Sequence, residues 1–256
     1  MLLQPHIIGL AETNLNWSHF PTKTSIYSSL KARWPHLRVA TAHLEGTFPS
    51  CPPSQAGGCL QIMSGRTSRQ VLHTYSDTMG RWCSQTLQSK ANHQISFITT
   101  YRVCQAARSD PLTAYKQQCR HLITHFNNTS PHPRNAMLAN LTSYIQSLQH
   151  QLHQILLMWD ANRTLADPNL QALIATYNLY DLQHRCKSTI PINTSARGRH
   201  IDFLLGTELL HISLRRCGIL NFNDSPLSDH RALFADFDKT AIFQRSTTMC
   251  RLKGGR

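Results

Sequence analysis

Short apolar runs recur along this chain and alternate with stretches of helical period. Ile7-Ile8-Gly9-Leu10-Ala11, Ile95-Ser-Phe-Ile-Thr-Thr100, Ile155-Leu-Leu-Met-Trp159 and Ile201-Asp202-Phe203-Leu204-Leu205 have the length and continuity of buried strands. So does the run behind Arg231, Ala-Leu-Phe-Ala-Asp-Phe237. Residues 37–44, Leu60-Gln-Ile-Met63, 69–75 and 81–88 read as further strands. The last two bracket Asp77-Thr-Met-Gly80, where glycine supplies a turn position with positive φ, and Arg81 beside it reads as a solvated turn residue.

Helical spacing fills the intervals. A short helix is predicted near Ser25 to Arg33, with Ile26 and Leu30 on one face and Pro35 as its stop. Asp110-Pro111 is a capped start, and Leu112, Tyr115, Cys119, Leu122 and Phe126 then fall on one face. Leu138, Leu141, Ile145, Leu148 and Leu152 make the next amphipathic face. Asp167-Pro168 starts another, with Leu170, Leu173, Ile174 and Tyr177 buried. His121 and His125 lack the glutamate of a zinc-protease pattern and are expected at the surface. This alternation predicts an α/β chain folded as a single domain over residues 1–240, with a basic tail at 241–256 and a loop insertion from Gly46 to Gly58.

The strands lead to polar groups of one kind. The first reaches Glu12, another reaches Tyr101, a third reaches Asp160 and Asn162, one carries Asp202, and Ser228-Asp229-His230 stands before the last. Strands of one sheet lie side by side, so groups at equivalent ends gather in one crevice. In this order the pieces resemble the endonuclease/exonuclease/phosphatase superfamily. Ala11-Glu12-Thr13 is similar to its glutamate motif and Tyr101-Arg102 to its tyrosine motif. Trp159-Asp160-Ala161-Asn162 is similar to Gly-Asp-x-Asn, with Trp159 in place of glycine. Arg199-His200-Ile201-Asp202 is similar to Arg-Ile-Asp, and Ser228-Asp229-His230 to Ser-Asp-His.

The resemblance implies a four-layered α-β-β-α sandwich of two packed, mostly antiparallel mixed sheets. It also implies a strand bearing an active-site asparagine, then a helix, ahead of the glutamate strand. Only eleven residues precede Glu12, so the expectation is a sandwich whose first strand is missing. For the site it implies Glu12 and Asp229 holding Mg2+, with Mn2+ as the alternative. His230 is oriented by Asp202, Asp160 handles the attacking water or the leaving group, and Asn162 and Tyr101 donate to phosphate oxygens.

Composition narrows the substrate. The 26 basic against 13 acidic residues give a formal net charge of +13. That balance favours a polyanionic partner, nucleic acid and DNA first. Arg197 and Arg199, in a small-residue basic loop just before Asp202, are candidate phosphate contacts. Asp77 through Arg81 resembles the hairpin of non-LTR retrotransposon endonuclease domains, which implies a mobile-element endonuclease. Two alternatives stand beside it: a phosphoesterase on inositol phosphates or sphingomyelin, and an inactive remnant that binds nucleic acid. Eight cysteines without a Cys-x-x-Cys pair suggest reduced thiols in a nuclear or cytoplasmic setting. No signal-peptide pattern and no apolar run near the ~18 residues of a membrane span occurs.

Overall fold

A computed structural model describes residues 5–45, 54–89, 93–105, 111–186, 193–224 and 228–243. In chain order the elements are β1 (Ile7–Ala11), α1 (Phe20–Arg33), β2 (Leu37–Ala42), β3 (Cys59–Ser64), α2 (Gly65–Ser68), β4 (Val71–Ser76), β5 (Trp82–Gln88) and β6 (Gln94–Tyr101). Then follow α3 (Ala114–Phe126), α4 (Pro133–His150), β7 (His153–Asp160), α5 (Pro168–Thr176), β8 (Tyr180–Asp181), β9 (Asp202–Gly206), α6 (Glu208–Ser213), β10 (Leu214–Ile219), β11 (Leu233–Phe237) and α7 (Lys239–Ile242). Each apolar run named above became a strand. Asp110, most of the 46–58 loop and residues 244–256 of the tail lie outside the described residues.

Four layers result. A six-stranded sheet of order β4-β5-β6-β7-β9-β8 is antiparallel except for the β6–β7 pair. Ile155, Leu157 and Trp159 of β7 point from it into α4 and α5, meeting Leu141, Ile145, Leu148, Leu170 and Leu173. On the opposite face of that sheet lies the second β layer, and α1 covers part of it through Ile26 and Leu30 against Ile62 and Trp17. Trp159 is 2% exposed, so the large residue in the place of the family's glycine is a core residue on the helix side.

The second β layer departs from expectation. It is two separate sheets, a three-stranded one of order β1-β3-β2 and a two-stranded one of β10 and β11. Among the described residues, β1 pairs with β3 alone and β11 with β10 alone. Gly9 brings β1 down onto the larger sheet, since a Cβ there would meet Thr99 Oγ1 at 2.6 Å and the Met158 side chain at 3.0 Å.

Several local expectations need correction. The buried face of α3 is Gln117, Gln118, His121 and Leu122, while Leu112 and Phe126 are 62% and 63% exposed. Gln117 and Gln118 donate to Leu112 O and Met79 O, and these bonds help hold polar side chains where apolar ones were expected. His121 is therefore buried, stacked on exposed His125. Leu152 lies beyond α4 in a left-handed turn, φ 61°, and faces solvent. α1 begins at Phe20, earlier than predicted, because Pro21 fits a first helical turn.

Arg81 is 2% exposed, with Nε and Nη2 on the two oxygens of Asp77 at 2.8 and 2.7 Å. Asp77 also accepts from the backbone of Met79 and Arg81, so the hairpin is locked by a buried ion pair. Cys59, Cys83, Cys104 and Cys119 are free thiols, whereas Cys217 is disulfide-bonded. No helix among the described residues is long and apolar enough to cross a membrane.

Candidate active site

The predicted residues meet at one edge of the sandwich. Asp160 ends β7 and Asp202 opens β9, and the two are directly paired across the antiparallel register. Both are buried, at 6% and 7% exposure. Thr194 fixes Asp202 from below: its Oγ1 accepts from the Ile201 and Asp202 backbone at 2.9 and 3.1 Å. His230 arrives from the other layer through a bridge to Ser195, and its Nδ1 lies 3.0 and 2.9 Å from the two Asp202 oxygens. That contact fixes the tautomer and turns Nε2 toward the crevice, 4.0 Å from Asp229 Oδ1.

Charges here are strongly coupled. The hydrogen bond that His230 Nδ1 donates to Asp202 holds the imidazole in its charged form, raising its pKa to about 9. Asp160 is pushed up to about 8, by burial first and by the Asp202 charge second. Glu12 follows β1 at the same end. Its side chain is open to solvent by surface area yet crowded by protein, and desolvation pushes its carboxyl above the usual range. A hydrogen bond to Tyr101 and the charges of His230 and Arg197 pull it back, while Asp229 opposes them.

Glu12 has φ 53° and Asn162 has φ 49°, left-handed values that cost a non-glycine residue on the order of 1 kcal/mol or more. Strain at two site residues marks a place where side-chain direction outweighs backbone comfort.

Two of the predicted side chains have partners within the protein. Tyr101, 3% exposed, spends its hydroxyl on Glu12, and burial raises its pKa far above the usual phenol value. The Asn162 amide donates to Arg102 O at 2.8 Å and accepts from Cys104 Sγ at 2.7 Å, leaving one N–H for a ligand. Arg197 and Arg199 are exposed on the 193–199 turn, near enough for Arg197 to influence Glu12 and Arg199 to influence Cys104.

Sequence reasoning missed three supports. Thr194 gave no signal. Arg134 on α4 donates to Val103 O and Asn162 O, clamping the loops after β6 and β7. Cys104 touches Asn162 and lay three residues beyond Tyr101 without a motif around it.

The donor set suits a hard divalent cation. Asp160, Asp202 and His230 offer ligand atoms within 4.8 Å of one another. Asp202, however, already gives both oxygens to His230, so the better oxygen donors are Glu12, Asp229 and Asp160. Carboxyls crowded enough to have raised pKa values are what a cation would relieve.

No family model matches the sequence, and no curated protein matches it. Solved structures do. The chain is similar to the catalytic domain of Xenopus laevis APE2, at 12% identity over 91% of this chain and 83% of that one, TM-score 0.62. It is similar to the 3′ phosphatase NExo from Neisseria bound to product DNA hairpin, at 17% identity over 91% and 89%, TM-score 0.60. An endonuclease/exonuclease/phosphatase family protein from Leptotrichia buccalis matches at 13% over 91% and 87%, TM-score 0.50. With the layers and the site above, these likenesses establish that the chain has the endonuclease/exonuclease/phosphatase fold.

Proposed function

We propose that this chain hydrolyses phosphodiester bonds in DNA with Mg2+, Mn2+ being the alternative, as an endonuclease of mobile-element type. The observation that carries the reading is the convergence of Asp160, Asp202 and His230 from separate segments into one cluster, with Glu12 and Asp229 beside it. The net charge of +13 and the exposed Arg197 and Arg199 favour a nucleic-acid substrate. The DNA hairpin bound to the Neisseria phosphatase belongs to that protein and lends support by fold alone.

In this reading the charged His230 Nε2 faces a non-bridging phosphate oxygen and stabilises the charge that grows there. Asp202 keeps the imidazole aligned. Asp160 accepts the proton of the attacking water. The free N–H of Asn162 donates to the phosphate. Glu12 and Asp229 would hold the cation, which would supply charge neutralisation and make a nearby water more acidic. Arg197 and Arg199 grip flanking phosphates.

Plasmid nicking tests this directly. Supercoiled DNA is expected to relax with Mg2+ and to stay intact with chelator or in His230→Ala. Release of phosphate from inositol phosphates or of phosphocholine from sphingomyelin, without nicking, transfers the site to the phosphoesterase alternative. The net charge of +13 also suits one second reading, a silent chain that only binds DNA; binding with no Mg2+-dependent nicking would establish it.

A further inference from the structure

The end of the sandwich away from the site is basic. β3 runs from Cys59, level with Ala11 beside Glu12, to Ser64, level with Leu37, about 17 Å further along at the usual strand rise. His36 and Arg38 flank Leu37 there. Gly65 N donates to His36 O at 2.8 Å, which seats Arg66 and Arg69 of the α2 turn beside them. Lys31 and Arg33 close the last turn of α1 just before this corner. All six residues are exposed.

Their charges have no carboxylate opposite them. Between Glu12 and Asp77 the sequence carries six lysines and arginines, and Glu45 is the single acid. Glu45 lies at the other end of β2, where its N–H donates to Thr78 O. Glu208, Asp236 and Asp238 do reach the basic end, but on β9 and β11 or just after them, across the sheet from the β4 and β5 strands that β2 overlies. Asp236 and Asp238 are also taken up by Arg216 and Arg215.

Arginines elsewhere are treated differently. Arg81, Arg102, Arg163, Arg215 and Arg216 each face a carboxylate. Among the described residues no ion pair engages Arg38, Arg66 or Arg69. Arg69 Nη2 instead donates to His36 Nε2 at 3.1 Å, a contact that steadies the guanidinium and leaves its charge unneutralised. Several like charges gathered at one corner repel each other, and a polyanion relieves that repulsion. None of the exposed large apolar residues falls in the last turn of α1, at 36–38 or in α2, so this surface has nothing to insert into a bilayer, whereas arginine forks match backbone phosphates.

We propose that this end is a second nucleic-acid contact, in which Arg38, Arg66 and Arg69 grip the phosphates of duplex DNA whatever its sequence. It lies at the opposite end of the strands from Glu12 and His230, so a DNA segment held here leaves the crevice open.

The inference goes beyond the nuclease reading and survives its failure, because binding is read without cleavage. Fluorescence anisotropy of a labelled duplex of about 20 base pairs, two helical turns, is followed with the full chain in chelator. Arg38→Glu, Arg66→Glu and Arg69→Glu together are expected to raise Kd at least about tenfold. Three lost phosphate contacts are also expected to flatten the dependence of log affinity on log salt by about 2–3 in slope. The milder Arg→Gln triple at the same positions is expected to raise Kd at least about fivefold, and thermal melting checks that each variant is folded. Lys116→Glu, Arg120→Glu and Lys239→Glu together make the same change in net charge at exposed residues elsewhere, and are expected to raise Kd less than about threefold. Unchanged affinity in both arginine triples, or equal losses in the two Glu triples, overturns the proposal. So does binding through these arginines to phosphatidylserine vesicles that the duplex cannot displace.

Discussion

The two β layers meet across the same site but are built differently. The six-stranded sheet is continuous, backed by α4 and α5, and presents Asp160 and Asp202 from buried strands. The layer opposite is split, and Glu12, Asp229 and His230 come from the margins of its two pieces. Exposure follows that division: Asp229 is open, His230 partly open, and every residue of β11 only half-buried. One half of the site rests on a rigid floor, and the other hangs from edges. Catalysis that needs both halves therefore depends on the weaker layer.

The sharpest break falls on the seam. Removing His230 leaves Asp202 as a buried carboxylate without its cation and takes away the group proposed to face the phosphate. His230→Ala is expected to slow Mg2+-dependent cleavage by roughly 10³-fold, within the span for a positioned acid–base or charge-stabilising group. Asp160→Asn is expected to do the same from the rigid side. Initial rates on supercoiled DNA check both, with circular dichroism confirming the fold. A loss below tenfold for either removes it from the reaction.

Next in size is the contrast in stability. Leu157 is fully buried between β7 and the helices, so Leu157→Ala leaves a cavity that cannot collapse and is expected to cost about 2–5 kcal/mol. Leu233, half-buried in the two-stranded sheet, has less to lose, and Leu233→Ala is expected to cost about 1 kcal/mol. Urea denaturation of both variants measures the difference. Equal losses would mean that the split layer is as firmly held as the sheet beneath it.

What the sequence revealed follows the same line. The central strands β6, β7 and β9 were legible because fully buried strands are written as near-continuous apolar runs, as in Ile155 to Trp159, whereas the two-residue β8 gave no such run. Glu12, Asp160, Asp202 and His230 were legible because each ends or begins such a run. β10 was not, since Leu214–Ile219 carries Arg215 and Arg216 outward, where they pair with Asp238 and Asp236. The turn of α3 was misread because Gln117 and Gln118 are buried through hydrogen bonds that no periodicity announces. Arg81 looked like a solvated turn residue until Asp77 proved to be wrapped around it. The split itself was not legible: no pattern along the chain announced that the last hairpin would become a sheet of its own.

Acid–base behaviour sharpens the picture of the seam. His230 is raised to about 9, so its contribution to stability is complete below its ordinary value near 6.5 and is lost as pH rises through 9. Asp160, raised to about 8, also favours the protonated form when folded, so its ionisation costs stability from its ordinary value near 3.8 up to about 8, overlapping the His230 window above 6.5. Both signs agree. The melting temperature of the metal-free chain is expected to fall by several degrees between pH 6.5 and 9, and Mg2+, binding the folded form, is expected to offset the fall. Thermal melts across pH, with and without Mg2+, test this. A melting temperature that rises toward pH 9 would falsify the coupling.

The smallest effect separates function from stability at one residue. Glu12 sits at φ 53°, a backbone conformation that glycine adopts freely and glutamate does not. The chain accepts that strain because the left-handed turn swings the carboxylate toward Asp229 and His230, under the Tyr101 hydroxyl. Glu12→Gly removes the strain together with the carboxylate. Melting is expected to shift upward by up to about 1 kcal/mol of added stability, less the lost hydrogen bond to Tyr101, while the Mg2+-induced stabilisation disappears. Glu12→Gln keeps the strain and a hydrogen-bond acceptor but not the charge, so it is expected to lose the Mg2+ response without gaining stability. Were both variants to keep a full Mg2+ shift, Glu12 would not hold the ion, and the strain at its backbone would need another cause.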